Sequence, residues 1–118
     1  MWGGATLKIW DIGHGPAAMR ESDVEAWLVR AAKNRGGLAV KHVSPGRSGD
    51  PDRLVALPVH PCPACGRRAA VGLLELKRPG GQPRPLQRAR IDQWESLGVR
   101  AAWADSPAAV EQFLRGLK

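Results

Sequence analysis

Asp52, Glu75 and Lys77 are the residues whose types and spacing could do chemistry. Asp52 follows Pro51 at the head of a strand-like run, Arg53-Leu54-Val55-Ala56-Leu57-Pro58. Glu75 and Lys77 stand two apart in another such run, from Val71 to Lys77. Side chains alternate along a strand, so Glu75 and Lys77 would share one face while Leu74 and Leu76 take the other. If the two runs pair as an antiparallel hairpin, Asp52 and Glu75 can converge on that face. Carboxylates so close repel each other and suit a hard divalent cation with oxygen ligands. An ammonium beside them can orient or deprotonate a water held by the cation and stabilise the negative charge that develops at phosphorus.

The surrounding elements must position these three side chains. Residues 21–35 read as a helix, with Ser22 as N-cap and Glu25 completing a capping box. Val24, Trp27, Leu28 and Ala31 recur at helical spacing and should face a core. Gly36-Gly37 stops that helix. Leu38 to Val43 reads as a strand, and residues 44–51 form a loop dense in turn formers. Residues 59–68 form a turn-rich excursion between the two acid-bearing strands. A second helix is expected from Pro85 or Leu86 to Leu97, a short strand from Val99 to Ala104, and a last helix opened by Asp105-Ser106-Pro107 and ended at Gly116. The order is α-β-β-β-α-β-α, an α/β class. Three consecutive strands suggest a meander, and the later strand–helix–strand unit suggests a right-handed crossover in a mixed sheet. No internal repeat is present.

The chain of 118 residues fits one domain. Its net charge of +7, from 18 Lys+Arg against 11 Asp+Glu, favours a polyanionic partner such as a nucleic acid. No apolar run approaches the roughly 20 residues that span a bilayer, so no membrane role is expected. The N-terminus lacks the basic and apolar regions of a secretory signal, which gives a cytoplasmic expectation. Cys62 and Cys65 then do not read as a disulfide framework.

Taken together, Ser44-Pro45-Gly46-Arg47, Gly49-Asp50-Pro51-Asp52-Arg53, Glu75-Leu76-Lys77-Arg78-Pro79-Gly80 and Pro85-Leu86-Gln87 resemble the small VRR-NUC branch of the PD-(D/E)XK nucleases. A lone Glu-x-Lys carries almost no information; the ordered set on its expected elements carries much more. The resemblance runs from about Arg20 to Leu117. It divides the chain into an N-terminal arm, residues 1–19, assigned no firm element, and a nuclease domain, residues 20–118, with a Cys-containing insertion at 59–68. It implies a restriction-endonuclease-like fold and a DNA endonuclease that uses Mg²⁺ or Mn²⁺. Junction or flap substrates, 5′-phosphate products, a homodimer and a bacterial or phage-infected host cell are further implications. It also implies metal ligation by Asp52, Glu75, the Leu76 carbonyl and a carboxylate on the first helix. Glu25 is preferred for that carboxylate and Glu21 held in reserve. Gln87 corresponds to the family's helix glutamine near the active site.

Arg47, Arg53 and Arg78 flank the presumed site and are candidates for phosphate contact; Arg84, Arg88 and Arg90 are left open. Asp50, where many relatives carry an apolar residue, reads as a turn residue in preference to an extra acid. Trp27, Trp94 and Trp103 read as core rather than base-stacking residues. Cys62-Pro63-Ala64-Cys65-Gly66 looks like one knuckle of a zinc ribbon, with His60 a candidate third ligand, though half a site is more often a plain turn. His14 and His42 have no partner that the sequence identifies. The rival readings are a nucleic-acid-binding module without catalysis and a small zinc-stabilised interaction protein.

Overall fold

A computed structural model of the chain describes residues 19–59 and 62–117. Most of the N-terminal arm, with His14, and also His60 lie outside the described residues. Helix α1 (Glu21–Asn34) leads into strands β1 (Leu38–Lys41), β2 (Arg53–Pro58) and β3 (Ala69–Leu76). Helix α2 (Pro85–Ser96), strand β4 (Arg100–Ala104) and helix α3 (Pro107–Gly116) complete the order expected from the sequence. The four strands form one sheet in the order β1-β2-β3-β4. The first three make an antiparallel meander, and β4 lies parallel to β3 after the α2 crossover. The architecture is α/β with a mixed sheet.

Period-two alternation sorts the sheet into two unlike faces. Val55 and Leu57 of β2, with Leu74 and Leu76 of β3, join Ala104 in the larger core. Helix α1 covers that face with Val24, Trp27, Leu28, Ala31 and Ala32, and α3 with Val110, Phe113 and Leu114. On the other face Leu73 and Ala101 meet Ile91 of α2, with Leu54, Trp94, Val99 and Trp103 half-buried around them. One helix covers this second face, which leaves room for polar side chains beside the apolar ones.

The start of α1 departs from the sequence expectation. Ser22 is not the N-cap; Arg20 is, in extended conformation. The Asp23 carboxylate accepts the Arg20 backbone N–H at 2.8 Å, satisfying that amide from inside the first turn. Glu21 is therefore the first helical residue. At the other end the helix stops at Asn34 rather than residue 35, and Gly36 adopts φ of +80°.

Candidate active site

The hairpin register delivers the acids. Arg53 pairs with Leu74, and continuing that antiparallel ladder by one residue sets Asp52 opposite Glu75. The His42 N–H donates to the Asp52 carbonyl at 2.8 Å, so the β1–β2 ladder also reaches the aspartate and fixes its backbone from the other side. Lys77 follows β3 directly, and its Nζ lies 3.5 Å from Glu75 Oε2. Leu74 and Leu76 point into the opposite core.

Glu75 is buried, with 6% of its surface exposed. Gln87 Nε2 donates to Glu75 Oε2 at 3.1 Å. The Gln87 carbonyl oxygen in turn accepts the Arg84 N–H at 2.8 Å, which holds the amide at the first turn of α2. Gln87 is itself buried.

The electrostatics are those of acids crowded together. Burial pushes the Glu75 carboxyl above the ordinary glutamate value, and the Asp52 charge pushes it further; Lys77 offsets part of this, while Glu21 adds to the repulsion. Burial likewise raises the Asp52 carboxyl, against lowering influences from the Leu76 N–H, Arg53 and Lys41. Asp52 Oδ1 is buried and finds no hydrogen-bond partner among the described residues. A buried, unsatisfied carboxylate oxygen is costly and marks a place where a cation would be favourable.

Glu21 and Glu25 separate. Glu25 Oε1 forms an ion pair with Arg53 at 2.6 Å. Glu21 is the helix carboxylate whose charge reaches Glu75. Arg53 is not a surface clamp for phosphate: only 6% of its side chain is exposed. The reason lies in its parity, since it shares a strand face with Val55 and Leu57 and is turned beneath α1. Arg78 is exposed just beyond Lys77.

The loop before Asp52 is clamped to α2. Arg47 Nε donates to Asp50 Oδ2 at 2.8 Å, and another guanidinium nitrogen of Arg47 donates to Gln93 Oε1 at 2.7 Å. Trp94 Nε1 donates to Asp50 Oδ1 at 3.0 Å, and Arg90 Nε donates to the Ser48 carbonyl at 3.0 Å. Burial alone would raise the Asp50 carboxyl, but hydrogen bonds from Arg47, Trp94 and Ser44 outweigh it and hold the value below the ordinary range. Gly49 lets the loop lie this close. Its φ is +88°, and a Cβ there would meet a Leu86 side-chain carbon at 2.7 Å. Asp50 is thus more than a turn residue, and the sequence could not show it because its Trp94 partner is forty-four positions away.

The remaining candidates lie elsewhere. Cys62 and Cys65 are free thiols beyond the opposite end of the β2–β3 hairpin. Hydrogen bonds from the Cys65 and Ala64 amides hold the Cys62 thiol below its ordinary value. His42 Nδ1 lies 3.0 Å from the Pro51 carbonyl oxygen, giving it a structural partner in the loop before Asp52. Lys41, which the sequence reading passed over, acts on the Asp52 charge. Its position next to His42 in the β1–β2 ladder was the available signal.

No protein-family model matches the chain. A protein named "Putative nuclease p44", from Acyrthosiphon pisum secondary endosymbiont phage 1, is 39% identical over 88 residues, covering 75% of this chain and 85% of that protein. A solved structure described as a VRR_NUC domain superposes with a TM-score of 0.69 at 26% identity, covering 84% of this chain and 98% of its own. The shared length and the shared fold agree, and the chain belongs to the VRR-NUC nucleases.

Proposed function

We propose that this nuclease is a Mg²⁺- or Mn²⁺-dependent DNA endonuclease whose centre is Asp52, Glu75 and Lys77. The observation that carries the reading is the pairing of two mutually repelling, partly buried carboxylates, one with an unsatisfied oxygen, beside an ammonium. Such a donor set fits a hard cation. Among the described residues no three His, Cys, Asp or Glu side chains form a ready ligand group. The protein's share would then be Asp52, Glu75 and the Leu76 carbonyl, with water filling other positions, a habit of Mg²⁺ more than of structural zinc. Glu21, rather than the Arg53-paired Glu25, is the helix carboxylate suited to join them through water.

When bound, the cation supplies Lewis acidity at a phosphoryl oxygen and acidifies water. The chain's own residues do the rest. Lys77 orients the attacking water and holds negative charge as it grows on phosphorus. Gln87 fixes the Glu75 carboxylate through a bond that leaves the second oxygen free for other partners. The Arg47–Asp50–Trp94 clamp sets the loop that delivers Asp52. Arg47 and Arg78 hold the flanking phosphates. Selectivity for junctions or flaps, and a homodimer placing two sites across one junction, follow by family analogy and belong to the same proposal.

Labelled linear, flap, replication-fork and four-way-junction DNAs, incubated with wild type and Asp52→Ala in Mg²⁺ or EDTA, test this. Cleavage is expected only from wild type with metal, and fastest on branched DNA. Cutting that persists in EDTA or in Asp52→Ala would overturn the metal assignment. Equal cutting of all four DNAs would overturn the selectivity.

A further inference from the structure

The outer end of the β2–β3 hairpin carries chemistry that the nuclease site does not use. Val59 N–H still bonds the Arg68 carbonyl across the hairpin, and beyond it the chain turns through Cys62 to Gly66. The Gly66 N–H closes that turn on the Cys62 carbonyl at 2.7 Å, with Gly66 at φ of +73°, a conformation that favours glycine. Inside the turn the amides of Ala64 and Cys65 act on the Cys62 sulfur, and the Cys65 thiol donates to the Arg67 carbonyl at 3.4 Å. Cys65 is exposed, and so is every residue from Pro63 to Ala69. The turn is therefore not a packing device: it holds two thiols three positions apart, one half-buried and one open to solvent.

We propose that Cys62 and Cys65 form a thiolate site for zinc, separate from the acid site. Paired sulfurs at this spacing select a soft, tetrahedral ion, whereas Asp52 and Glu75 select a hard one. The six residues of β2, Arg53–Pro58, set the two sites about 20 Å apart. Zinc here would tie together a connection that no helix among the described residues covers. Its other two ligands come from the knuckle of a second copy, which completes a four-thiolate site.

The full chain, purified without chelator from zinc-supplemented cells, is expected to carry about half a zinc per chain, one ion shared by two copies, and about one per chain would overturn the sharing. Replacement by Co²⁺ should give sulfur-to-cobalt charge-transfer bands in the near ultraviolet. The Cys62→Ser/Cys65→Ser variant should lose both zinc and bands while keeping Mg²⁺-dependent cleavage. Asp52→Asn should keep both. Absence of tightly bound zinc, cobalt bound without sulfur bands, or zinc retained in the double serine variant would each overturn the site. If the double variant does not fold, the wild-type cobalt spectrum decides.

Discussion

The two ends of the β2–β3 hairpin share one ladder but are held by different means. At the inner end burial raises both carboxyls, the Asp52 charge raises Glu75 further, and an oxygen of Asp52 is left without a partner among the described residues. At the outer end Cys62 is half-buried and Cys65 exposed, and local amides hold the turn. The inner end sacrifices stability for a poised group of acids, which makes its chemistry inseparable from its energetics. The outer end carries little of the fold, so changing its thiols should leave the metal-free protein nearly as stable as before.

The sharpest way to break that contrast is to remove an acid. Asp52→Asn or Glu75→Gln should lower DNA cleavage by about a hundredfold to a thousandfold, the scale of losing one preorganised electrostatic group. The same variants should be at least as stable as wild type at neutral pH in EDTA, because they remove a repulsion. The pH dependence follows with a definite sign. Both carboxyls titrate above their ordinary values of 3.8 and 4.5 in the folded state. The folded chain thus holds these protons more tightly than the unfolded one. Their contribution is complete below the ordinary values and is lost as pH rises through the raised folded values. Thermal melts in EDTA should show this loss in wild type and a smaller one in Asp52→Asn. Added Mg²⁺ should restore stability at neutral pH.

A smaller effect should separate the two glutamates of α1. Glu25→Gln leaves Arg53 buried without its counter-ion and should cost about 2 kcal/mol, below the 3–5 kcal/mol typical of fully buried pairs because Glu25 is 32% exposed. Glu21→Gln should leave the denaturation midpoint nearly unchanged and lower cleavage instead. If Glu25→Gln lost activity without losing stability, the roles would be reversed. The least effect is expected at the loop clamp. Trp94→Phe removes a hydrogen bond to a charged group and should cost about 1–2 kcal/mol, with kcat falling as Asp52 loosens. A melt and a cleavage time course would check both.

Much of this was legible in the chain itself. Gly and Pro punctuation gave the element order, and strand alternation gave a shared face for Glu75 and Lys77. The choice between Glu21 and Glu25 was not legible. They are four residues apart, so a helix sets them on nearly the same face, and only a rise of about 6 Å along the axis decides which one meets Arg53 and which one the site. Ser22 misled as a cap because its type is favoured there, whereas Asp23 satisfies the Arg20 amide from within the turn. The burial of Arg53 could have been read from its parity with Val55 and Leu57; its charge argued for solvent and obscured the pattern. The Asp50–Trp94 bond spans forty-four positions and needed the fold to bring it together.

Calorimetric titration of Mn²⁺ into the chelator-treated protein tests the central claim most directly, with the Cys62→Ser/Cys65→Ser background used to silence the thiols. Binding at the acid pair should be present there and lost on adding Asp52→Asn or Glu75→Gln. Mn²⁺ binding that survives either acid substitution with unchanged affinity would contradict the account.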